Sequence, residues 1–289
     1  MALLALGLAA CGDLTDGATL GPCAESTRDW WPLVTGARWT YRVTDFGARV
    51  ADPLDNHPPD VGWKEHEVEG EAVPIGGLLG DELGTRMRVT DPLSNEWDLS
   101  WFIEQDQAYR WRRKLFSPLV AEDPSKDSYY FPWRTRLDYS ADRVCAGSRW
   151  HESFESLDID IGEGAEQCAR ATWQDEPQGC TGERKGRGSA WRVEAVDATL
   201  SLFGGRMFYE HALCVRRTDD GGEKDSTYCF VRGVGKVFEC ERLLGEEVKV
   251  EELCRHCVPE RDCDWSEELP GPCSEGQWEG ATCEEVFAF

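Results

Sequence analysis

Short runs in which apolar and polar residues alternate make up most of the chain after residue 28. Residues 39–43, 85–89, 97–103 and 191–195 are four such runs, set among Gly, Pro, Asp and Asn residues. Alternation with a period of two places successive side chains on opposite faces of a β-strand. Helical periodicity is nearly absent from the same region. The pattern therefore predicts an all-β or mainly-β fold built from a curved antiparallel sheet.

The cysteines divide the chain into parts. None of the thirteen falls between residues 24 and 144, whereas five fall within residues 254–283. The C-terminal part has few aliphatic residues and cannot bury enough apolar surface to fold without cross-links, so disulfides must substitute for a core. We predict a signal peptide at 1–10, a lipidated tether at 11–28, an antiparallel β domain at 29–253 and a cysteine-rich tail at 254–289.

The apolar N-terminus indicates export. Residues 2–10 are all apolar or small, which is too short a stretch to span a bilayer but suits the hydrophobic region of a signal peptide. The string Leu8-Ala9-Ala10-Cys11 resembles the lipobox of bacterial lipoproteins. This resemblance implies cleavage before Cys11, lipidation of Cys11 and, because residue 12 is not Asp, sorting to the outer membrane.

Alternatives remain open at this end of the chain. Signal peptides carry Lys or Arg before the hydrophobic region, and the first basic residue here is Arg28. Either translation starts upstream of Met1, or the α-amino group provides the only positive charge. The alternative for Cys11 is a buried cysteine in a short hydrophobic segment.

The twelve cysteines after Cys11 form an even set, which in an exported protein predicts six intramolecular disulfides. The most specific prediction is a bridge between Cys214 and Cys229. Gly221 and Gly222 favour a two-residue hairpin turn because both accept positive φ, and a turn centred on them places Cys214 opposite Cys229. Opposed Cα atoms lie about 4.5–5.5 Å apart, which a disulfide accepts. Otherwise each cysteine bridges to a neighbouring strand or to the tail. The same register predicts an apolar face made of Leu213, Val215, Tyr228 and Phe230.

Charge excludes some classes of partner. The chain has 55 acidic and 31 basic residues, a formal net charge of −24. Its longest basic cluster, residues 110–114, alternates as on one strand rather than forming a basic face. Nucleic-acid binding needs such a face, and an acidic surface does not dock electrostatically on anionic lipid. We predict no nucleic-acid partner.

Two sets of residues have the spacing of metal ligands. Cys254 and Cys257 flank His256 as in a zinc knuckle, with Cys263 and Cys273 downstream. Zinc needs thiolates, and an oxidising compartment pairs cysteines instead. Residues 158–163 superficially resemble a calcium loop, but the twelfth position, where an EF-hand has Glu, is Ala169. We predict no metal and no cofactor.

Catalytic signatures are absent from the sequence. No G-x-S-x-G, H-E-x-x-H, G-x-G-x-x-G or P-loop motif occurs, and these motifs carry the common nucleophilic, zinc-dependent and nucleotide chemistries. His66 and His151 lie next to acidic residues that could orient their rings. In so acidic a chain such neighbours arise by chance, so we predict that the protein is not an enzyme.

Three further strings resemble a broad group of secreted bacterial lipoproteins. Residues 30–43 (WWPLVTGARWTYRV) are similar to an opening pattern "PL..G..W.Y.V", and residues 198–218 and 230–239 are similar to a closing pattern that ends in "GVG.V". Gly233 and Gly235 in that closing pattern would permit a bulge or a close approach. The resemblance implies a curved antiparallel sheet or a half-barrel like the periplasmic lipoprotein carriers, and it implies no activity. The extra cysteines depart from the pattern.

These observations predict an exported lipoprotein of the cell envelope, anchored at Cys11, with a non-enzymatic binding or structural role. One alternative is a periplasmic carrier that holds a lipid or other apolar ligand against a Trp-lined sheet. The partner of the lipoprotein would then be that apolar ligand, or otherwise another protein of the envelope. The remaining alternative is a secreted hydrolase. A concave apolar pocket favours the carrier, and a pocket that joins His66 or His151 with carboxylates favours the enzyme.

Overall fold

Antiparallel strands dominate the computed structural model, which describes residues 20–47, 58–118, 125–161, 182–259, 261–263, 265, 273 and 283–286. Short 3₁₀ turns cover Arg28–Trp30 and Gly77–Leu79, and a single helical turn covers Cys283–Val286. The strands are β1 Arg38–Asp45, β2 Asp60–Pro74, β3 Leu83–Asp91, β4 Glu96–Gln105, β5 Ala108–Pro118, β6 Lys126–Asp138, β7 Arg149–Asp160, β8 Gly182–Leu202, β9 Met207–Asp219, β10 Lys224–Val231, β11 Gly235–Leu243, β12 Glu246–Val258 and β13 Asp262–Cys263.

The sheet closes into a barrel of twelve strands. Each strand from β1 to β12 pairs antiparallel with the next strand in the chain, and β1 also pairs with β12. Tyr41 on β1, for example, lies opposite Lys64 of β2 and Leu253 of β12. The predicted all-β fold with a curved antiparallel sheet is thus confirmed. The sheet is a closed barrel and not the open half-barrel that the resemblance implies. The last long strand, β12, pairs with the otherwise free edge of β1, and a closed sheet has no unpaired edge.

The β9–β10 hairpin has the predicted register. Cys214 lies opposite Cys229, and the two form a disulfide. The turn itself differs from the predicted two-residue Gly-Gly turn. The last paired residues are Thr218 and Asp225, and only Gly222 of the two glycines has a positive φ. The register is nevertheless unchanged because the longer loop is centred on the same point of the chain.

Four more disulfides lie within the described residues. They are Cys23–Cys145, Cys240–Cys283, Cys254–Cys273 and Cys257–Cys263. The four cysteines that a zinc knuckle would need are therefore paired with each other. Cys11, Cys168 and Cys180 lie outside the described residues, and so does the predicted signal peptide. The predicted boundary at 253/254 falls inside β12, which continues to Val258.

The described part of the predicted tether, residues 20–28, lies against the connection between β6 and β7. The backbone N–H of Gly21 donates to the carbonyl of Ala146 at 2.9 Å, and the Cys23–Cys145 disulfide fixes the same contact. In the described part of the chain, no helix is long and apolar enough to cross a membrane.

The side chain of Trp31, called the aromatic plug below, closes one end of the barrel. Trp31, which is 1% exposed, follows the first 3₁₀ turn and enters the lumen. Its ring lies 5.4 Å from that of Phe102 on β4 and 5.9 Å from that of Phe230 on β10, so it contacts opposite walls. A Cβ at Gly235 would come within 2.9 Å of the Trp39 ring, so glycine permits this close packing.

Candidate functional site in the barrel lumen

The barrel lumen has three regions along its axis. In an antiparallel pair, directly opposed residues point to the same face, so the strand registers identify the inward side chains. A barrel of about eight strands is filled by its own side chains, whereas a wider one has room for more. Here the aromatic plug fills one end, a layer of buried charges lies next to it, and a cavity lies beyond the charges.

The charged layer is built around Glu251, which is 0% exposed. Its carboxylate accepts hydrogen bonds from Lys236 at 2.6 Å and from Lys64 at 2.9 Å, and it lies 3.2 Å from Lys249. Lys236 also donates to Glu239, and Arg136 reaches the same carboxylate at 3.1 Å. Four cations thus surround two carboxylates inside the barrel, and Lys64 also lies 3.7 Å from Asp91.

The cations determine the protonation state of both carboxylates. Burial alone would raise the pKa of Glu239, but the charge of Lys236, together with Arg136, outweighs it and lowers the pKa to about 2. Burial is likewise outweighed at Glu251, where Lys236, Lys64 and Lys249 hold the pKa well below its usual value. Both groups are therefore ionised at neutral pH.

His66 belongs to this charged layer. Its ring packs 4.9 Å from the ring of Tyr41, which in turn donates from its hydroxyl to the carbonyl of Lys236. Burial, followed by the charges of Lys236 and Lys64, lowers the pKa of His66 well below its usual value. His66 is therefore a neutral, buried side chain that packs between the strands.

The cavity lies at the opposite end of the lumen from the plug. Phe102 and Tyr109, which contact the plug, lie near the β4–β5 turn, whereas the cavity begins at the far ends of β5 and β6. Its volume is about 470 Å³, within the range of small-molecule sites. It is lined by Phe116, Lys126, Ser128, Tyr130, Arg134, Phe154, Ser156, Asp158, Gly186, Arg187, Gly188, Ser189, Arg217, Asp219, Asp220, Gly221 and Lys224.

Basic groups outnumber acidic ones in this lining, in contrast to the chain as a whole. Five basic side chains line the cavity against three carboxylates. Each carboxylate already has a partner. These are Ser128 and Lys126 for Asp158, the backbone N–H of Lys224 for Asp219, and His151 for Asp220.

Arg134 and Arg217 lack carboxylate partners among the described residues. Arg217 is 6% exposed, and its Nη1 is buried without a hydrogen-bond acceptor, as is the Nε of Arg134. Arg134 lies instead over aromatic rings, 5.1 Å from the centre of Trp111 and 5.8 Å from that of Phe154. Cation–π contacts of this kind stabilise a cation only in part.

The local potential is positive. Burial and then the charge of Arg217 lower the pKa of Arg134 to about 10. Burial alone would raise the pKa of Tyr228, but Arg217 and Arg136 outweigh it and lower that pKa. The ring of Tyr228 lies 4.2 Å from Arg136 and 5.9 Å from Arg217, so it separates the charged layer from the cavity.

The histidines that the sequence singled out do not meet. His66 lies in the charged layer, whereas His151 lies at the cavity mouth, where its Nε2 contacts Asp220 at 2.8 Å with both side chains more than half exposed. Asp158, from the supposed calcium loop, points into the lumen and pairs with Lys126.

No sequence motif singles out the cavity arginines. A signal for one of them was present, because the predicted β9–β10 register places Arg217 on the same face as Val215 and Tyr228. A basic residue on the apolar face of a predicted hairpin therefore marked the site. No comparable local signal distinguished Arg134 or Arg187.

Fold and site together define a closed antiparallel barrel, plugged at one end, with a cation-lined cavity at the other. Comparison of the chain with known protein families, curated proteins and solved structures finds no match. The resemblance to secreted bacterial lipoproteins therefore stays a prediction.

Proposed function

We propose that the protein is an exported, lipid-anchored binding protein that holds a small molecule in the lumen of its barrel and catalyses no reaction. The observation that carries the proposal is the 470 Å³ cavity. Its walls belong to neighbouring strands of one closed sheet, and binding sites of this type are largely preformed. The plug and the charged layer close the lumen behind the cavity, so a ligand would enter and leave at one end.

The lining favours binding over the alternatives. Among the described residues that line the cavity there is no histidine or cysteine. The Ser128 hydroxyl donates to the Asp158 carboxylate at 2.6 Å, but this pair lacks the histidine that activates a serine nucleophile in the common hydrolase triad. A carrier of a wholly apolar ligand would need an apolar wall, whereas eight of these side chains are charged.

A cavity-filling substitution tests lumen binding. Ser156 is buried on β7 and lines the cavity, so Ser156→Trp would occupy the space of a ligand. Two fluorescent probes share one ring system: the anionic 1-anilinonaphthalene-8-sulfonate and the uncharged N-phenyl-1-naphthylamine. We expect at least one to bind the wild-type protein and to bind Ser156→Trp at least about tenfold more weakly, since overlap removes the preformed site.

Ser153→Trp provides the matched control. Ser153 lies on the same strand but is exposed, so the same indole should leave probe affinity unchanged, and circular dichroism should show both variants folded. Equal probe binding by wild type and Ser156→Trp, or no binding of either probe, would contradict lumen binding.

The lipid anchor at Cys11 is a separate part of the proposal. The Leu8-Ala9-Ala10-Cys11 string supports it, and several acyl chains on one residue give long-lived membrane attachment. When the gene is expressed from Met1 and from any upstream start in a Gram-negative host, we expect the protein in the outer-membrane fraction. We expect Cys11→Ser, or globomycin, to release it or to block its processing. Unchanged fractionation in both cases would exclude the anchor.

A further inference from the structure

We propose that the lumen cavity is specific for an organic oxyanion, a carboxylate, sulfonate or phosphate carried on an apolar or aromatic body, with the oxyanion held by Arg134, Arg187 and Arg217. This inference rests on the proposed lumen-binding function and names its ligand class. No part of it depends on the anchor at Cys11.

Buried guanidinium donors without acceptors point to a missing anion. Arg217 is nine-tenths buried, lines the cavity and leaves Nη1 without an acceptor, and Arg134 likewise leaves Nε without one. A buried charge without a partner is costly, so native proteins almost always pair such groups. The neighbouring Arg134 and Arg217 guanidinium groups repel each other as well, and an oxyanion between them would relieve both costs.

The cavity's own carboxylates have other partners. Asp158 accepts from the Ser128 hydroxyl at 2.6 Å, and its other oxygen lies 3.5 Å from Lys126. Asp219 accepts the backbone N–H of Lys224 at 3.1 Å. None of these contacts involves the arginines, so the positive charge of Arg134 and Arg217 remains available to a ligand.

The guanidinium donors of the cavity have a geometry that suits an oxyanion. Arg187 donates from Nε to the Ser156 hydroxyl at 3.0 Å, which orients its guanidinium group in the cavity wall. Guanidinium groups offer planar, paired N–H donors that match carboxylate, sulfonate and phosphate oxygens. Arg187 on β8 is exposed but fixed by Ser156, whereas Arg217 on β9 is buried and Arg134 on β6 is partly buried. The three together form a built oxyanion site that opens to solvent on the Arg187 side.

Aromatic side chains supply the second half of the site. Phe116, Tyr130 and Phe154 line the same cavity, and the rings of Tyr130 and Phe154 lie 6.0 Å apart at 74°. Rings in this position bury an apolar or aromatic body by area and by edge-to-face contact. Inorganic anions alone would leave these rings uncovered, so the ligand is expected to be amphipathic.

The two naphthyl probes separate the two halves of the ligand. We expect the anionic 1-anilinonaphthalene-8-sulfonate to bind wild type at least about tenfold more tightly than the uncharged N-phenyl-1-naphthylamine, since a hydrogen-bonded charge pair contributes about that much. Sodium sulfate should compete with the anionic probe, but only at much higher concentration than the probe itself. Ionic strength is matched with sodium chloride throughout, so that screening does not imitate competition.

Removing single guanidinium groups tests their role. Arg134→Gln and Arg217→Gln should each weaken binding of the anionic probe about 10- to 100-fold and leave the uncharged probe unaffected. The ligand-free variants should melt at the same temperature as wild type or higher, because each loses one of two neighbouring buried cations. A purely structural arginine would lower the melting temperature. Arg192→Gln is the control, since Arg192 lies on β8 with its side chain half exposed.

The outcomes distinguish this inference from the function on which it rests. If Ser156→Trp abolishes probe binding but both arginine variants bind the anionic probe as wild type does, the oxyanion inference fails and lumen binding stands. Equal affinity of wild type for the two probes would overturn it in the same way. If Ser156→Trp changes nothing, lumen binding itself fails.

Discussion

Glu251→Gln is expected to lower the free energy of unfolding by about 3–5 kcal/mol. The substitution keeps the size of the side chain and removes one buried negative charge. Lys236, Lys64 and Lys249 surround this carboxylate within 3.2 Å. Without its charge, Lys236 would keep Glu239, and Lys64 would keep only the longer contact to Asp91 at 3.7 Å. An uncompensated buried charge costs far more than an exposed one because water cannot solvate it.

The stability that these carboxylates provide should fall as the pH falls. The folded-state pKa of Glu251 lies well below its usual value, and that of Glu239 is about 2. A lowered folded-state pKa stabilises the protein above the unfolded-state pKa of about 4.3, and this contribution is lost as the pH falls towards the folded-state pKa. Wild type should therefore lose stability between about pH 4.5 and 2 more steeply than Glu251→Gln does.

Denaturant unfolding followed by tryptophan fluorescence at pH 7 and across the acid range measures both effects. Glu67→Gln is the control: Glu67 forms an ion pair with Arg38 in which both side chains are more than a third exposed, and such pairs contribute only about 0–1 kcal/mol. If Glu251→Gln lowers the free energy of unfolding by no more than Glu67→Gln does, the charged layer does not stabilise the barrel.

Trp31→Ala is expected to cost about 3–5 kcal/mol, the usual loss when a fully buried tryptophan is truncated. The indole contacts Phe102, Tyr109 and Phe230 on three strands, so its removal leaves a void that no single strand can fill by moving. Because the plug contacts opposite walls, the loss should appear in global unfolding and not only as local opening of the N-terminal segment.

Urea unfolding with circular dichroism measures this change, and Trp97→Ala is its control. Trp97 is a partly exposed tryptophan on β4 whose ring lies 5.4 Å from the Arg88 guanidinium, so its truncation leaves no closed void. A cost below about 1 kcal/mol for Trp31→Ala, or a cost equal to that of the control, would show that the barrel end is not held by the plug.

The local sequence determined the strands and one complete hairpin. Alternation with a period of two is a property of neighbouring residues, so the strands containing residues 39–43, 85–89 and 97–103 follow from it directly. The pairing of Cys214 with Cys229 followed as well, since a turn centred on Gly221 and Gly222 leaves only one register that keeps the apolar face together.

Closure of the barrel was decided by the tertiary structure. The β1–β12 pairing joins Arg38–Asp45 to Glu246–Val258 across nearly the whole chain, and no local pattern specifies a contact between residues so far apart. The lumen cavity was also decided by the tertiary structure, because Arg134 and Arg217 lie on separate strands whose side chains meet only in the closed lumen.

The buried charges show the physical reason most clearly. Lys236, Glu239 and Glu251 lie among acidic and basic residues that, by alternation alone, are typical of a solvent-exposed strand face. A strand's sequence determines which side chains share a face, but only the curvature and closure of the whole sheet decide whether that face meets water or the lumen.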